Sequence, residues 1–325
     1  LLRYGEGRLA LKRLPKNQIK KTIQKNQNSP QALTDQLSDL KASAEQARIN
    51  LTPEIKQMLL EGAEKVEAKV LAHEKLTKAD LAFIGEAKKM IEIERFRQIE
   101  LPTQYGKRLE TLSFFGFLDG KGESKKGDAP VPTLERAMAV FTPEMLALAR
   151  TFQEPTLLIV PETSFEAKVK AIDAKKTMEG QIGTYQPDLY KKTDTGSERI
   201  AGWRALIVDG AREMDLKPGD DKGKKFKDRL ADRKDARKPG ERGMERHAYA
   251  LLMMEGLRRG DPIDQWKGDK GTYTLLDDDP ALSASDVPHA YWDDDDRQVF
   301  FDAYAPGVVH GDARLRSVVG GDVIL

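Results

Sequence analysis

Asp293, Asp294, Asp295 and Asp296 stand in a row between two aromatic, β-prone runs. Four adjacent carboxylates repel one another, so water, a cation or a basic partner must compensate them. A calcium loop sets its aspartates around a glycine and adds a glutamate further on, and neither occurs here. The run therefore reads as a solvated hairpin tip or an acidic patch that faces a ligand, and no dedicated metal site is expected. Asp277, Asp278 and Asp279 precede Pro280 and read as turn residues.

Of the histidines His73, His247, His289 and His310, no two have the helical spacing that lets a pair share a metal. His247 falls on a Met- and Leu-rich helix, where a histidine is usually a core or boundary residue. His289 and His310 flank the acidic hairpin and would form an acid/base set with Asp302 or Asp312 if the fold made them converge. Nothing else speaks for catalysis. The chain has no GxSxG, no phosphate-cradling glycine loop, no GxGxxG opening a βαβ unit and no cysteine. It is expected not to be an enzyme, with no cofactor and no catalytic residue.

Tyr291, Trp292, Phe300, Phe301 and Tyr304 pose a different question. Successive side chains on a strand point to opposite faces, so Phe300 and Phe301 cannot both enter one core. Some aromatic surface should face outward, for cross-strand packing, a dimer contact or a ligand.

These residues must be held by strands, and the second half of the chain supplies them. Thr272 to Leu276, Ala290 to Trp292, Gln298 to Tyr304 and Arg314 to Leu325 read as strands; Thr156 to Val160 and Trp203 to Val208 read as buried ones. Helices open at Thr142-Pro143-Glu144 and at Thr163, where Glu166 would complete a capping box. Another carries Met244, His247, Ala248, Leu251, Leu252, Glu255 and Leu257, and Gly260 and Pro262 stop it. Lys222 to Arg242 alternates charges of both signs and reads as a solvated insertion. Strands gathered after helices predict an α+β domain over residues 133–325 with an antiparallel sheet.

The first half differs in composition. Up to about Leu118 it is rich in Lys, Glu, Gln, Leu and Ala. Ser29-Pro30, Thr52-Pro53 and Thr77 with Asp80 each place a capping hydroxyl before a helical run of about 20 residues. Ile55, Met58, Leu59, Val66 and Val70 share one stripe, as do Ile84, Ala87, Ile91 and Phe96. A charged helical arm over residues 1–115, a helical hairpin or coiled-coil spacer able to self-associate, is expected, then a linker from Gly116 to Pro132.

With 54 basic and 53 acidic side chains, the net charge of +1 gives no global argument for nucleic acid. The local one is Arg3, Arg8, Lys12, Arg13, Lys16, Lys20, Lys21 and Lys25 against Glu6 alone. It supports an alternative reading as a nucleic-acid-associated protein acting through this segment, against a plain solvated entry to the first helix. No apolar run is long enough to span a membrane. Absent cysteine suits a reducing compartment, so a cytoplasmic location is expected. A start at Leu1 rather than Met leads to the expectation of a lost upstream segment, which leaves a targeting sequence open.

Three segments resemble C-type-lectin-like domains, in particular the variable proteins of diversity-generating retroelements. They are Gly202-Trp203-Arg204, then Ala290-Tyr291-Trp292 leading into Gln298-Val299-Phe300-Phe301, and the terminal Ala313-Arg314-Leu315-Arg316-Ser317-Val318-Val319-Gly320-Gly321. From Pro132 onwards the chain is also similar to uncharacterised proteins of candidate-phylum bacteria, which implies no activity. The lectin-like resemblance implies a scaffold with a rewritable C-terminal patch that binds a protein or other macromolecule. Residues of the mixture expected in such a patch are Asp293 to Asp296, Asp302, Tyr304, Val308, Val309, His310 and Asp312. The expected ligand-binding set is Tyr291, Trp292, Asp293, Asp294, Asp295, Asp296, Asp302, Tyr304, His310 and Asp312.

Overall fold

Thr52 accepts the Ile55 amide at 3.4 Å and Thr77 the Asp80 amide at 3.2 Å, while Asp80 takes the Thr77 amide at 2.8 Å. Each bond satisfies an amide that the helix end leaves bare. These caps open two helices in a computed structural model of the chain, which describes residues 30–45, 49–119, 121–125, 129–177, 180–185, 202–212, 223–267, 270–277 and 286–324. The basic segment from Arg3 to Lys25, and Asp278 and Asp279, lie outside the described residues. The chain divides into two compact units, Leu1–Ile99 and Glu100–Leu325.

The first unit holds α1 (Pro30–Glu45), α2 (Pro53–Leu71) and α3 (Lys78–Arg95). Leu33, Leu37 and Leu40, then Leu59, Ala63, Val66 and Val70, then Ile84, Ala87 and Ile91 form one shared core. Their spacings of three and four put each set on a single stripe. Met58, expected on that stripe, is exposed instead. Lys69 and Asp80 pair across the α2–α3 turn at 2.8 Å.

In the second unit, α4 is Leu101–Phe114, α5 Leu134–Ala139 and α6 Pro143–Ala149. Strand β1 (Pro155–Val160) precedes α7 (Phe165–Asp173), the short strands β2 (Lys176–Thr177), β3 (Gly180–Gln181) and β4 (Gly183–Tyr185), and β5 (Trp203–Asp209). Then come α8 (Phe226–Asp235), β6 (Glu241–Gly243), α9 (Arg246–Arg259), β7 (Gln265–Lys267), β8 (Lys270–Gly271) and β9 (Tyr273–Leu275). The chain closes on β10 (Val287–Asp293), β11 (Gln298–Tyr304), β12 (Ala313–Leu315) and β13 (Ser317–Ile324).

Two sheets organise this α+β unit. One has order β1-β5-β13-β6 and is antiparallel throughout. The other runs β12-β9-β10-β11-β4, with β7 and β8 attached. It is mixed rather than antiparallel: β7 on β10, β4 on β11 and β12 on β9 are all parallel pairs. Those parallel pairs join segments distant in the chain, whereas the β10–β11 and β7–β8 hairpins, and β9 on β10, pair antiparallel.

The division at Ile99 moves the expected boundary, because α4 belongs with the sheets. Gln104 accepts the Leu157 amide at 2.6 Å and donates to the Pro155 carbonyl at 3.0 Å, and Arg108 donates to the Leu157 carbonyl at 2.6 Å. Side chains of α4 thus satisfy the free edge of β1, which would otherwise invite another strand. The expected linker also lies inside this unit: Trp203 Nε1 donates to the Ala129 carbonyl at 3.0 Å, and Tyr105 to that of Pro132.

Between β12 and β13 the chain leaves one sheet for the other, and Arg316 sits at that crossing. It is fully buried, meets Asp264 at 2.7 Å, and donates to the carbonyls of Asp209 at 2.8 Å and Ala211 at 2.7 Å. Asp264 also accepts the hydroxyls of Thr274 at 2.6 Å and Tyr249 at 3.2 Å. Such a group survives burial only with this degree of bonding. Beyond the crossing, Gly320 holds φ +83°; a Cβ there would lie 2.6 Å from the Phe141 ring and 2.8 Å from the Ala205 carbonyl oxygen.

Two local expectations are corrected. Ser164, not Thr163, caps α7 by accepting the Ala167 amide at 3.1 Å, and Thr163 instead accepts the Lys168 amine at 2.8 Å. The charged segment from Lys222 is no solvated insertion, since it contains α8, whose Phe226 and Arg229 are wholly buried. The charges occupy the remaining faces of that helix.

Candidate functional site

Alternation along β10 and β11 sorts the hairpin into two faces. The register sets Tyr291 opposite Phe300, His289 opposite Asp302 and Asp293 opposite Gln298 on one face; Ala290 opposite Phe301 and Trp292 opposite Val299 lie on the other. The inner face packs on helices: the Phe301 ring meets Phe165 of α7 at 4.8 Å and Tyr249 of α9 at 6.0 Å. Trp292 belongs to this inner set and is only 3% exposed. It therefore offers no area to a ligand, contrary to its place in the expected surface.

The outer face is a run of stacked rings. Tyr185 of β4 meets Phe300 at 4.8 Å, Phe300 meets Tyr291 at 5.0 Å with planes 10° apart, Tyr291 meets His289 at 6.0 Å and 3°, and His289 meets Tyr304 at 4.2 Å and 4°. Directly opposite, diagonal and same-strand neighbours on one face together produce this ladder. At one end, Trp266, Tyr273 and His310 join it: His310 lies 5.8 Å from Trp266 and 5.3 Å from Tyr273. Helix α8 covers that end with Phe226, 6.1 Å from Tyr273 and 5.8 Å from Tyr304. Arg229 of the same helix donates to the carbonyls of His310 at 3.0 Å and Ala313 at 2.5 Å and so fixes the loop after β11. The two terminal rings of the ladder are both partly open to solvent, Tyr185 42% and Tyr304 37% exposed.

The aspartate tip divides its labour. Asp293 accepts the amides of Asp295 and Asp296, each at 3.0 Å, and so stabilises the turn. Asp294 pairs with Lys267 at 2.9 Å, which holds its carboxyl below the usual range. Asp295 and Asp296 are exposed. Arg297 closes the turn at φ +55°, a left-handed conformation rare outside glycine. Among the described residues no group of three or more His, Asp or Glu side chains is arranged to hold a metal ion.

Burial keeps the hydroxyls of the ladder protonated. Burial raises the Tyr291 pKa, and Tyr304, Asp293, Asp302 and Asp296 raise it further. Tyr304 is raised by burial and by Asp302, and Tyr273 by burial, Tyr304 and Asp312 against the opposing pull of Arg229 and Arg314. His289 is fully buried, and burial pushes its pKa down to about 4, partly opposed by the nearby Val287 backbone. The buried Tyr273 hydroxyl meets no hydrogen-bond partner among the described residues.

Of the ten expected residues, Tyr291, Asp293, Asp302, Tyr304, His310 and Asp312 converge on the outer face or its rim. Asp294, Asp295 and Asp296 sit at the tip, and Trp292 points inward. His310 and Asp312 come together, Nδ1 to Oδ2 at 3.5 Å, while His289 is buried in the ring stack. His247 is a boundary residue against Phe165 at 5.7 Å. Trp266, Tyr273 and Tyr185 belong to the face but lie outside the expected set. Their strands join the hairpin by tertiary pairing, which periodicity along one segment does not reveal.

No known protein family, curated protein or solved structure matches the chain. No helix among the described residues is long and apolar enough to cross a membrane.

Proposed function

We propose that this chain is a non-catalytic binding protein whose C-terminal region displays a ligand surface on a C-type-lectin-like scaffold. The observation that carries this reading is the ring ladder from Tyr185 to Tyr304, whose two terminal rings are exposed, as is Val309 in the loop that follows β11. Tyrosines give large contact area at low side-chain entropy cost, and flanking polar groups adapt to the partner. The helical unit then serves as a spacer or self-association element of coiled-coil type. The patch is further proposed to be one that a diversity-generating retroelement rewrites; the genomic sign is a nearby reverse transcriptase with a near-repeat of the last hundred or so bases that differs at adenines.

Capture from a complex protein mixture by the full chain tests the binding reading. Partners held by wild type and lost with Tyr291→Ala plus Tyr304→Ala are expected, with melting temperature little changed. A partner set identical for both proteins rejects the reading. The nucleic-acid alternative predicts instead a salt-sensitive affinity that vanishes when Arg3 to Lys25 are deleted.

A further inference from the structure

On the inner side of the hairpin, basic groups gather at the start of α9. Phe165 of α7, which packs on Phe301, also meets the His247 ring at 5.7 Å and lies 5.2 Å from the Arg246 guanidinium. About one turn further along α7, Lys168 is fully buried. Its amine donates to the carbonyls of Pro161 at 3.4 Å and Thr163 at 3.0 Å and to the Thr163 hydroxyl at 2.8 Å, all of them neutral acceptors. Arg204 of β5 pairs in register with Val160, the residue before Pro161. Burial, then Lys168, Arg246 and Arg204, push the His247 pKa down to about 2, so the three cations stand within electrostatic reach of that ring. Burial and then Arg204 bring the Lys168 amine down to about 7.

Little negative charge answers this group. Arg204 meets Glu245 at 3.9 Å, and the same side chain meets Arg242 at 4.0 Å. Two nitrogens of the group, Nε of Arg204 and Nδ1 of His247, are buried without a hydrogen-bond partner, whereas buried polar groups in native folds are normally satisfied. The backbone adds to the same field. Helix α9 has no acidic residue in its first turn, and Glu245, at the cap position, makes no side-chain bond to it. A helix start leaves amides bare and carries partial positive charge, which basic side chains there reinforce. Solvent reaches the group on one side, where the side chains of Arg204 and Glu245 are 25% and 39% exposed.

We infer that the start of α9, together with Lys168, Arg204 and His247, holds a phosphate group, either as the free ion or as part of a phosphate ester. A tetrahedral oxyanion has acceptors enough to take the Arg204 Nε–H, a protonated His247 Nδ1 and bare helix amides at once. Its charge compensates a buried lysine whose own partners are all neutral. A planar carboxylate has only two oxygens to divide among these donors.

The test titrates inorganic phosphate, phenyl phosphate and acetate into the full chain at constant ionic strength, with binding read calorimetrically. Saturable binding of one phosphate group per chain is expected, with acetate weaker. Tighter phenyl phosphate identifies an ester as the ligand, and tighter inorganic phosphate the free ion. Arg204→Gln and Lys168→Met should each weaken phosphate at least about tenfold, the worth of one hydrogen bond to a charged group. Lys170→Gln, on the exposed side of α7, should bind as wild type does. Arg204→Gln alters a partly exposed side chain and keeps the test valid if Lys168→Met does not fold. No saturable phosphate binding by wild type would overturn the inference, as would unchanged affinity in Arg204→Gln or acetate bound as tightly as phosphate.

Discussion

The imidazole of His289 and the phenol of Tyr304 lie face to face, centroids 4.2 Å apart and planes 4° from parallel. The pairing joins a fully buried ring of the ladder to its exposed terminal ring. Burial drives the His289 pKa from 6.5 to about 4, so the ring is neutral near pH 7. The unfolded chain takes up this proton near pH 6.5 and the folded chain only near 4, so stability must fall as pH drops through that window. The loss due to His289 is on the order of 3 kcal/mol, the size of such a pKa difference. His289→Phe keeps a ring in the stack and removes the titration. Denaturant melts at pH 7 and pH 4 should show a smaller drop for His289→Phe than for wild type. Equal drops would contradict the assigned burial effect.

Asp264 and Arg316 join the two sheets through a fully buried ion pair. Removing one partner strands the other charge, a loss of about 3–5 kcal/mol in comparable sites. Asp264→Ala and Arg316→Met should each lower stability by that order in chemical denaturation. The double variant should lose less than the sum, since neither charge is left alone. Additive losses would show that the pair does not act as a unit.

At the tip, replacing all four of Asp293 to Asp296 with Asn should leave the fold intact. The side-chain amide oxygen introduced at position 293 can still accept the turn amides, and the Asp294–Lys267 pair that is lost is a surface contact whose attraction water and salt screen. Relief of mutual repulsion acts in the opposite sense. Melting curves of wild type and variant, each with calcium, magnesium or chelator, check this. A chelator-sensitive melting temperature in wild type that becomes insensitive in the variant would reveal a structural cation and overturn the reading of the tip as a ligand-facing patch.

Much of the scaffold is legible in the sequence because local rules decide it. Thr52, Thr77 and Thr142 announce helix starts through their own capping chemistry, and the apolar runs 156–160 and 203–208 become β1 and β5, buried on both faces. Alternation likewise separates Phe300 from Phe301. The expectation for Trp292 fails because its parity on the strand, opposite to that of Tyr291, turns it inward. Phe226 and Arg229 are hidden in a charged stretch whose composition says nothing about which face is buried. The α4 helix reads like its neighbours in composition, and its bonds to β1 and to Glu255 of α9 assign it to the second unit. The face itself is assembled from β4, β7, β9, β10 and β11, so its full membership depends on pairings between distant segments.

The most direct measurement is the affinity of one captured partner for three forms of the full chain: wild type, Tyr291→Ala on the outer face, and Leu71→Ala on the exposed surface of α2. If the ladder is the ligand surface, Tyr291→Ala should weaken binding by about 2 kcal/mol or more, roughly thirtyfold, as truncation of a central interface tyrosine does. Leu71→Ala should bind as wild type does. Wild-type affinity in Tyr291→Ala, with both variants equally well folded, would contradict the account.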